Sequence, residues 1–121
     1  MTPEKLTEIL YLAENLKKNT RHSWLSNGRR ESVAEHSWRL SLFAYFVKDE
    51  FPNVDMDKVI MMCIFHDLGE AFTGDIPSFY KTNNDEEIEK HKLSEWVNTL
   101  PQPYKDELNA LYTEMDELKT E

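Results

Sequence analysis

Apolar residues recur every three or four positions along most of this chain, and that spacing places them on one face of an α-helix. The pattern falls into five segments, separated by glycine and proline residues that cluster around positions 28, 52, 69–77 and 101–103. We expect helices over roughly residues 3–18, 32–51, 55–68, 85–100 and 103–121. The pattern therefore predicts an all-α bundle of about five helices that forms a single domain over residues 1–121.

The second and third helices have clear start signals. Ser32-Val-Ala-Glu35 fits a capping box, and Asp55 suits the N-cap of the next helix. Residues 59–65 are apolar on every side, as expected of the central helix of a bundle, whereas residues 19–31 have the composition of a connecting loop. The second helix is predicted to bury one stripe of side chains, namely Val33, His36, Leu40, Phe43 and Val47.

Charge and composition narrow the class of protein. The chain has 23 acidic and 14 basic side chains and a net charge of -9, which argues against a general nucleic-acid binder. It contains neither an apolar run of about 20 residues nor an N-terminal signal segment, so we expect a cytoplasmic protein that does not enter a membrane. The single cysteine, Cys63, lies in an apolar run and reads as a small buried side chain rather than a catalytic thiol.

Titratable side chains interrupt the most apolar helix. His66, Asp67 and Glu70 follow Cys63 at helical steps, so they lie close together on one face. Buried charges are usually paired with each other or with a metal ion. With His36 facing inward from the preceding helix, the set favours a divalent ion such as Mn, Co, Ni, Zn or Fe. The alternatives are hydrogen-bonded core histidines, a helix-capping Asp67 and a solvated Glu70.

Positive charge concentrates before the second helix. Residues 17–30 contain five basic side chains and no acidic one, a local charge of +5 that would attract a small phosphorylated substrate. A basic helix end that complements the helix dipole is the alternative for the lysines. Trp24 in the same segment suits stacking on a base, although an aromatic residue in a loop is at least as often simple packing.

These motifs resemble a known family. Glu35-His-Ser37, followed by Phe65-His-Asp-Leu-Gly-Glu70, is similar to the pattern of the HD superfamily of metal-dependent phosphohydrolases. More narrowly, Arg30-Glu-Ser-Val-Ala-Glu-His-Ser37 and Thr73-Gly-Asp-Ile-Pro77 resemble the bacterial 5'-deoxynucleotidases. The resemblance is detailed from about residue 19 to residue 77.

The resemblance implies a reaction and roles for individual residues. A metal-activated water would hydrolyse a deoxynucleoside 5'-monophosphate to nucleoside and phosphate, with Glu70 as general base or acid. Arg21 stands at the same distance before His36 as the family's phosphate-orienting arginine. Asp75 matches the residue expected to hydrogen-bond the deoxyribose hydroxyl, with an Asx turn as the alternative. The implied metal ligands are His36, His66 and Asp67.

The sequence also departs from the family pattern. The family arginine is followed by tryptophan, whereas Arg21 is followed by His22, with Trp24 two places later. The family's fourth ligand, an aspartate that opens a further helix, has no counterpart here, and the last predicted helix lacks a stop signal, so we expect the natural protein to continue. Family members commonly form homodimers, for which Trp96 or Tyr112 would serve as exposed aromatics. The alternative functions are another HD-type nucleotide phosphohydrolase or phosphodiesterase, and a catalytically silent helical interaction module.

Overall fold

The computed structural model describes residues 1–73 and 82–117, without the side chains of His22, Thr73 and Asn83. The all-α class predicted from the sequence is confirmed. Within this part of the chain the longer helices are α1 (Pro3–Ala13), α3 (Val33–Phe46), α4 (Met56–Phe65), α6 (Asn83–Val97) and α7 (Tyr104–Glu117). Two four-residue helices are α2 (Asn15–Lys18) and α5 (Glu70–Thr73), and Lys48–Glu50 forms a 3-10 turn.

The segment predicted to be a plain loop is a small β-hairpin, which corrects the sequence-based expectation. Strands β1 (Thr20–Trp24) and β2 (Arg30–Ser32) pair antiparallel. The predicted turn is present: Gly28 has a φ of 87°, and the Asn27 side chain accepts a hydrogen bond from the Arg29 backbone at 3.0 Å. The strands are short and mostly polar, so they carry no hydrophobic alternation that would reveal them.

The predicted helix starts are confirmed. The Ser32 hydroxyl accepts from the Glu35 backbone at 3.1 Å, and the Glu35 carboxylate accepts from the Ser32 backbone at 2.8 Å. Asp55 likewise accepts from the Lys58 backbone at 3.2 Å. Four predicted helices end or break earlier than expected: α1 breaks after Ala13, α3 ends at Phe46, α4 ends at Phe65 and α6 ends at Val97. The capping box therefore fixes where the histidine-bearing helix α3 begins.

Two apolar clusters form the core, and they meet at the end of α4. The first joins α2, α3 and the α4–α5 turn through Leu16, Val33, Leu68 and Ala71. The second joins α6 and α7 through Val97, Leu100, Leu108 and Leu111. Phe65 packs against both clusters, so the residue that directly precedes His66 is held from two sides.

Several burial expectations were wrong. On α3, Val33 is 0% exposed but Phe43 is 65% exposed, so the predicted stripe is buried only at its start. Helix α4 has no fully buried residue, and it is therefore not enclosed within the described part of the chain. Trp96 and Tyr112, expected to be exposed, pack against the second core cluster instead. The homodimer stays a prediction. None of the helices within residues 1–73 and 82–117 is both long and apolar enough to cross a membrane.

Candidate metal centre

Two neighbouring elements bring the predicted ligands together. His36 lies in the first turns of α3, and His66 and Asp67 follow the end of α4, which packs against α3. One ligand atom from each of these three side chains lies within 4.8 Å of the other two. The rings of the two histidines are 5.7 Å apart between centroids and are inclined at 60°. The structure thus gathers residues 30 positions apart in the sequence into one cluster.

His66 is held in a defined orientation by its two ring nitrogens. Nδ1 lies 2.8 Å from the carbonyl of Cys63, and because a carbonyl can only accept, Nδ1 carries the proton and donates it. Nε2 lies 3.0 Å from the Asp67 carboxylate. Burial lowers the pKa of His66, but the hydrogen bond and charge of Asp67 and the Cys63 carbonyl outweigh it, so the net pKa is raised. The ring therefore presents Nε2 to the cluster.

The other two members of the cluster have lowered pKa values. Burial raises the pKa of Asp67, but the hydrogen bond and charge of His66, a hydrogen bond from Glu70 and the charge of His36 outweigh it. For His36, burial comes first and the nearby Arg21 guanidinium second, and together they hold the pKa below its ordinary value of 6.5. A neutral imidazole and an ionised carboxylate are the forms that bind metal.

The donor set fits a divalent transition metal. Imidazole nitrogen and carboxylate oxygen bind such ions at about 2.0–2.2 Å, so two ligands in a tetrahedral site lie about 3.4 Å apart. The ligand atoms of His36, His66 and Asp67 lie within 4.8 Å of one another, so binding one ion would draw them together by roughly an ångström. Two nitrogens and one oxygen suit Mn, Co, Ni, Zn and Fe and do not discriminate among them. The protonated Nδ1 of His66, bound to a backbone carbonyl, is the support that metal-binding histidines usually have.

Glu70 lies beside this cluster and is buried. It opens α5, and its 6% exposure is incompatible with the solvated position considered above. Its hydrogen bond to Asp67 contributes to the lowered pKa of that residue. Its backbone carbonyl accepts from the Asn19 side chain at 2.7 Å. The carboxyl of Glu70 therefore lies beside the candidate ligand Asp67, and the backbone of Glu70 is anchored to Asn19.

Arg21 reaches the cluster from the hairpin. Its charge lowers the pKa of both His36 and His66. Its Nη1 lies 3.5 Å from the carboxylate of Glu31, a residue that the sequence reasoning did not single out. Glu31 is only 8% exposed, and it follows two arginines in the sequence. The signal that would have identified it is the hairpin, because β2 pairs with the strand that carries Arg21.

The remaining predicted substrate residues have different outcomes. Trp24 is 64% exposed, with the Arg30 guanidinium 5.2 Å from its ring centroid, so it is not packed into the core. It lines a surface cavity of about 330 Å³ together with His36 and Arg39. A second cavity, also of about 330 Å³, lies between α6 and α7 and includes His66 in its wall. Asp75 lies outside the described residues.

Comparisons with known proteins identify the family of the chain. A family model described as "HD domain" matches residues 13–121. The chain is 28% identical over 118 residues to the 5'-deoxynucleotidase HDDC2 of Homo sapiens, covering 92% of this chain and 55% of that protein. It is 28% identical over 93 residues to the 5'-deoxynucleotidase PM0747 of Pasteurella multocida, covering 73% of this chain and 48% of that protein.

Solved structures include a similar fold. A structure described as a predicted metal-dependent phosphohydrolase from Magnetospirillum magnetotacticum superposes with a TM-score of 0.80 at 26% identity. The match covers 96% of this chain and 59% of that one. The chain thus spans only about half of the length of these relatives, between 48% and 59%.

Proposed function

The chain belongs to the HD domain family, and we propose that it is a metal-dependent phosphohydrolase that converts deoxynucleoside 5'-monophosphates to nucleoside and phosphate. The observation that carries the proposal is the cluster of His36, His66 and Asp67, whose ligand atoms lie within 4.8 Å of one another. Relatives named 5'-deoxynucleotidases support the substrate class. The structural neighbour described as a predicted metal-dependent phosphohydrolase supports the reaction type.

In this proposal His36, His66 and Asp67 hold one divalent ion. Such an ion lowers the pKa of a water molecule and neutralises charge on the phosphate. The chain supplies two neutral imidazoles and one carboxylate, which together leave the ion a net positive charge. That charge suits a dianionic phosphate monoester.

The side chains around the cluster bind the phosphate and move the proton. Arg21 binds the phosphate, because its guanidinium is close enough to His36 and His66 to lower the pKa of both. Glu70 is the general base or acid that moves the proton between the attacking water and the leaving group, because it is buried and shares a hydrogen bond with Asp67. For these roles, Arg21 needs to contact only the phosphate of the substrate, and Glu70 only the water and the leaving group.

The nucleoside part is assigned to the exposed face beside His36. Trp24 offers its ring for stacking on a base, and it shares a cavity with His36. Asp75 is proposed, on the motif alone, to hydrogen-bond the deoxyribose hydroxyl. A different HD-type phosphohydrolase activity would use the same metal cluster, so a panel of deoxynucleotides, ribonucleotides and phosphodiesters separates the two.

The test compares two histidine variants. We would measure the metal content of the purified chain and its release of phosphate from deoxynucleoside monophosphates with added Co or Mn. His66→Ala is expected to lose both metal and activity. His91→Ala is the matched control, because His91 is exposed on α6 and contacts only Glu95 among the ion pairs of the described residues. Metal binding and turnover in the wild type, lost only in His66→Ala, support the proposal.

Two other results would count against it. Equal metal binding by the wild type and by His66→Ala would place the ion elsewhere. Absence of both metal and turnover from the wild type would reject the enzyme proposal for this chain and favour a helical interaction module.

A further inference from the structure

Glu31 lies between the arginine and one histidine of the proposed site. Its Oε1 is 3.5 Å from Nη1 of Arg21 and 4.0 Å from Nδ1 of His36. We propose that Glu31 is a positioning residue that aligns the phosphate-binding guanidinium with the metal-binding imidazole. The inference rests on the proposed function, but it concerns a residue that belongs neither to the ligand set nor to the substrate contacts.

Burial makes the Glu31 carboxylate depend on its neighbours. At 8% exposure the charge has little water to stabilise it, so it requires partners within the protein. The ion pair with Arg21 supplies one. A guanidinium has five N–H donors, so Arg21 retains donors for a phosphate after one nitrogen faces Glu31. Because Arg21 is already restrained in the folded chain, less side-chain entropy is lost when phosphate binds.

The same carboxylate acts on His36. A distance of 4.0 Å is longer than a hydrogen bond, so Glu31 acts through its charge. A negative charge beside Nδ1 favours the tautomer with the proton on Nδ1, which leaves the lone pair of Nε2 for a metal. The Cys63 carbonyl has the same effect on His66, where the hydrogen bond to Nδ1 is 2.8 Å long. Both histidines thus have an acceptor or a negative charge beside Nδ1, which would leave Nε2 free to hold the proposed ion.

The backbone around Glu31 is fixed well enough for this role. Glu31 lies in β2 and directly precedes Ser32, the N-cap of α3. The next residue, Val33, is fully buried, and its N–H donates to the Asn19 carbonyl at 2.9 Å. Strand pairing places Arg21 on the neighbouring strand β1. The hairpin and the helix cap together therefore determine the distance between Arg21 and His36.

The experiment separates positioning from folding. Glu31→Gln keeps the shape of the side chain and removes its charge. We expect its affinity for Co, titrated without substrate, to fall roughly 10- to 100-fold, the range found when a residue supporting a metal ligand is changed. We also expect inorganic phosphate to inhibit the variant more weakly and KM to rise more than kcat falls. Glu50→Gln, which changes an exposed carboxylate beyond the C-terminal end of α3, the end opposite His36, is the control and should match the wild type.

A double variant tests the connection through Arg21. If Glu31 acts on phosphate by holding Arg21, the effect of Glu31→Gln on phosphate inhibition should disappear in an Arg21→Ala background. Should Glu31→Gln fail to fold, Glu31→Asp keeps the charge at a shorter reach and should still weaken both affinities. The inference is overturned if a metal-binding, active wild type is matched by folded Glu31→Gln in Co affinity and phosphate inhibition. A wild type that neither binds metal nor hydrolyses substrate overturns the proposed function itself. Measurements on the wild type alone therefore test the proposed function, and the Glu31 variants test the inference.

Discussion

The hydroxyl of Tyr112 donates a 2.8 Å hydrogen bond to the backbone carbonyl of Phe65, the residue directly before His66. This bond ties α7 to the end of α4. Burial raises the pKa of Tyr112, so the phenol stays protonated and remains a donor at any physiological pH. On the other side of the ligand-bearing turn, the side chain of Asn19 donates to the Glu70 carbonyl. The turn that carries His66 and Asp67 is therefore restrained before and after these two residues.

Tyr112→Phe should weaken this restraint. Removing the hydroxyl leaves the Phe65 carbonyl without one of its donors, which we expect to cost about 1 kcal/mol in the free energy of unfolding. Co affinity should fall as well, because His66 is then less firmly placed. Urea unfolding and Co titration measure the two effects.

Tyr104→Phe is the matched control for that experiment. Tyr104 lies on the same helix α7 but is exposed, so its loss of a hydroxyl should change neither quantity. Equal effects of the two substitutions on both quantities would contradict the role assigned to the Tyr112 hydrogen bond.

The cluster of candidate ligands was predictable in part, because His36 lies in the first turns of a helix that opens on a recognisable capping box. His66 and Asp67 follow directly after the apolar helix α4, so their place at its end was predicted correctly, but the helical face expected to continue through them was not. Glu31 was not predictable, since its position depends on a hairpin of polar residues whose pairing no local pattern announces. Burial of Glu70 was also open, because a glycine before it suggested that the helix and the core had ended.

Helix α3 shows a second limit of sequence-based prediction, which concerns how much of a helix face is buried. Helical spacing identifies the residues that share a face, but the neighbouring elements decide how much of that face is covered. Val33 packs against Leu16 and Leu68, whereas Phe43 lies farther along the helix and is largely exposed. Hydrophobic periodicity alone predicted that both residues are buried.

Alanine substitutions should separate these two positions. Val33→Ala removes two buried methyl-sized groups from a fully buried site, and we expect a loss of about 2 kcal/mol in the free energy of unfolding. Phe43→Ala removes a larger side chain but should change stability by no more than about 0.5 kcal/mol, because the ring is mostly exposed. Chemical denaturation of both variants measures this. A larger loss for Phe43→Ala would mean that the ring is covered in solution.

The stability of the chain should depend on Glu35 at acidic pH. A hydrogen bond from Arg29, together with hydrogen bonds from Ser32, lowers the pKa of Glu35 from 4.5 to about 2. Because the folded pKa lies below the unfolded one, the stabilising contribution is present above about pH 4.5 and is lost as the pH falls toward 2.

Denaturation of Glu35→Gln as a function of pH tests this expectation. The variant should be less stable than the wild type at neutral pH, and the difference should narrow below about pH 4.5. Glu50→Gln, which removes an exposed carboxylate outside the capping box, should show no such pH dependence. A constant difference between the wild type and Glu35→Gln down to pH 3 would contradict the lowered pKa.

Gly69 allows α6 to approach the turn that carries the ligands. A Cβ at this position would lie 2.9 Å from Cγ of Glu89 and 3.3 Å from its Cδ. To make room, Glu89 would have to change its χ1 rotamer or α6 would have to shift, so Gly69→Ala should cost about 1–3 kcal/mol in the free energy of unfolding. Glu89→Ala removes the atoms that would clash, so adding Gly69→Ala to that variant should cost clearly less. Urea denaturation of the four proteins in this cycle measures the difference, and Co titration reports whether the proposed ligands His66 and Asp67, in the same turn as Gly69, move with it. An equal cost of Gly69→Ala in both backgrounds would mean that the contact with Glu89 does not explain the glycine.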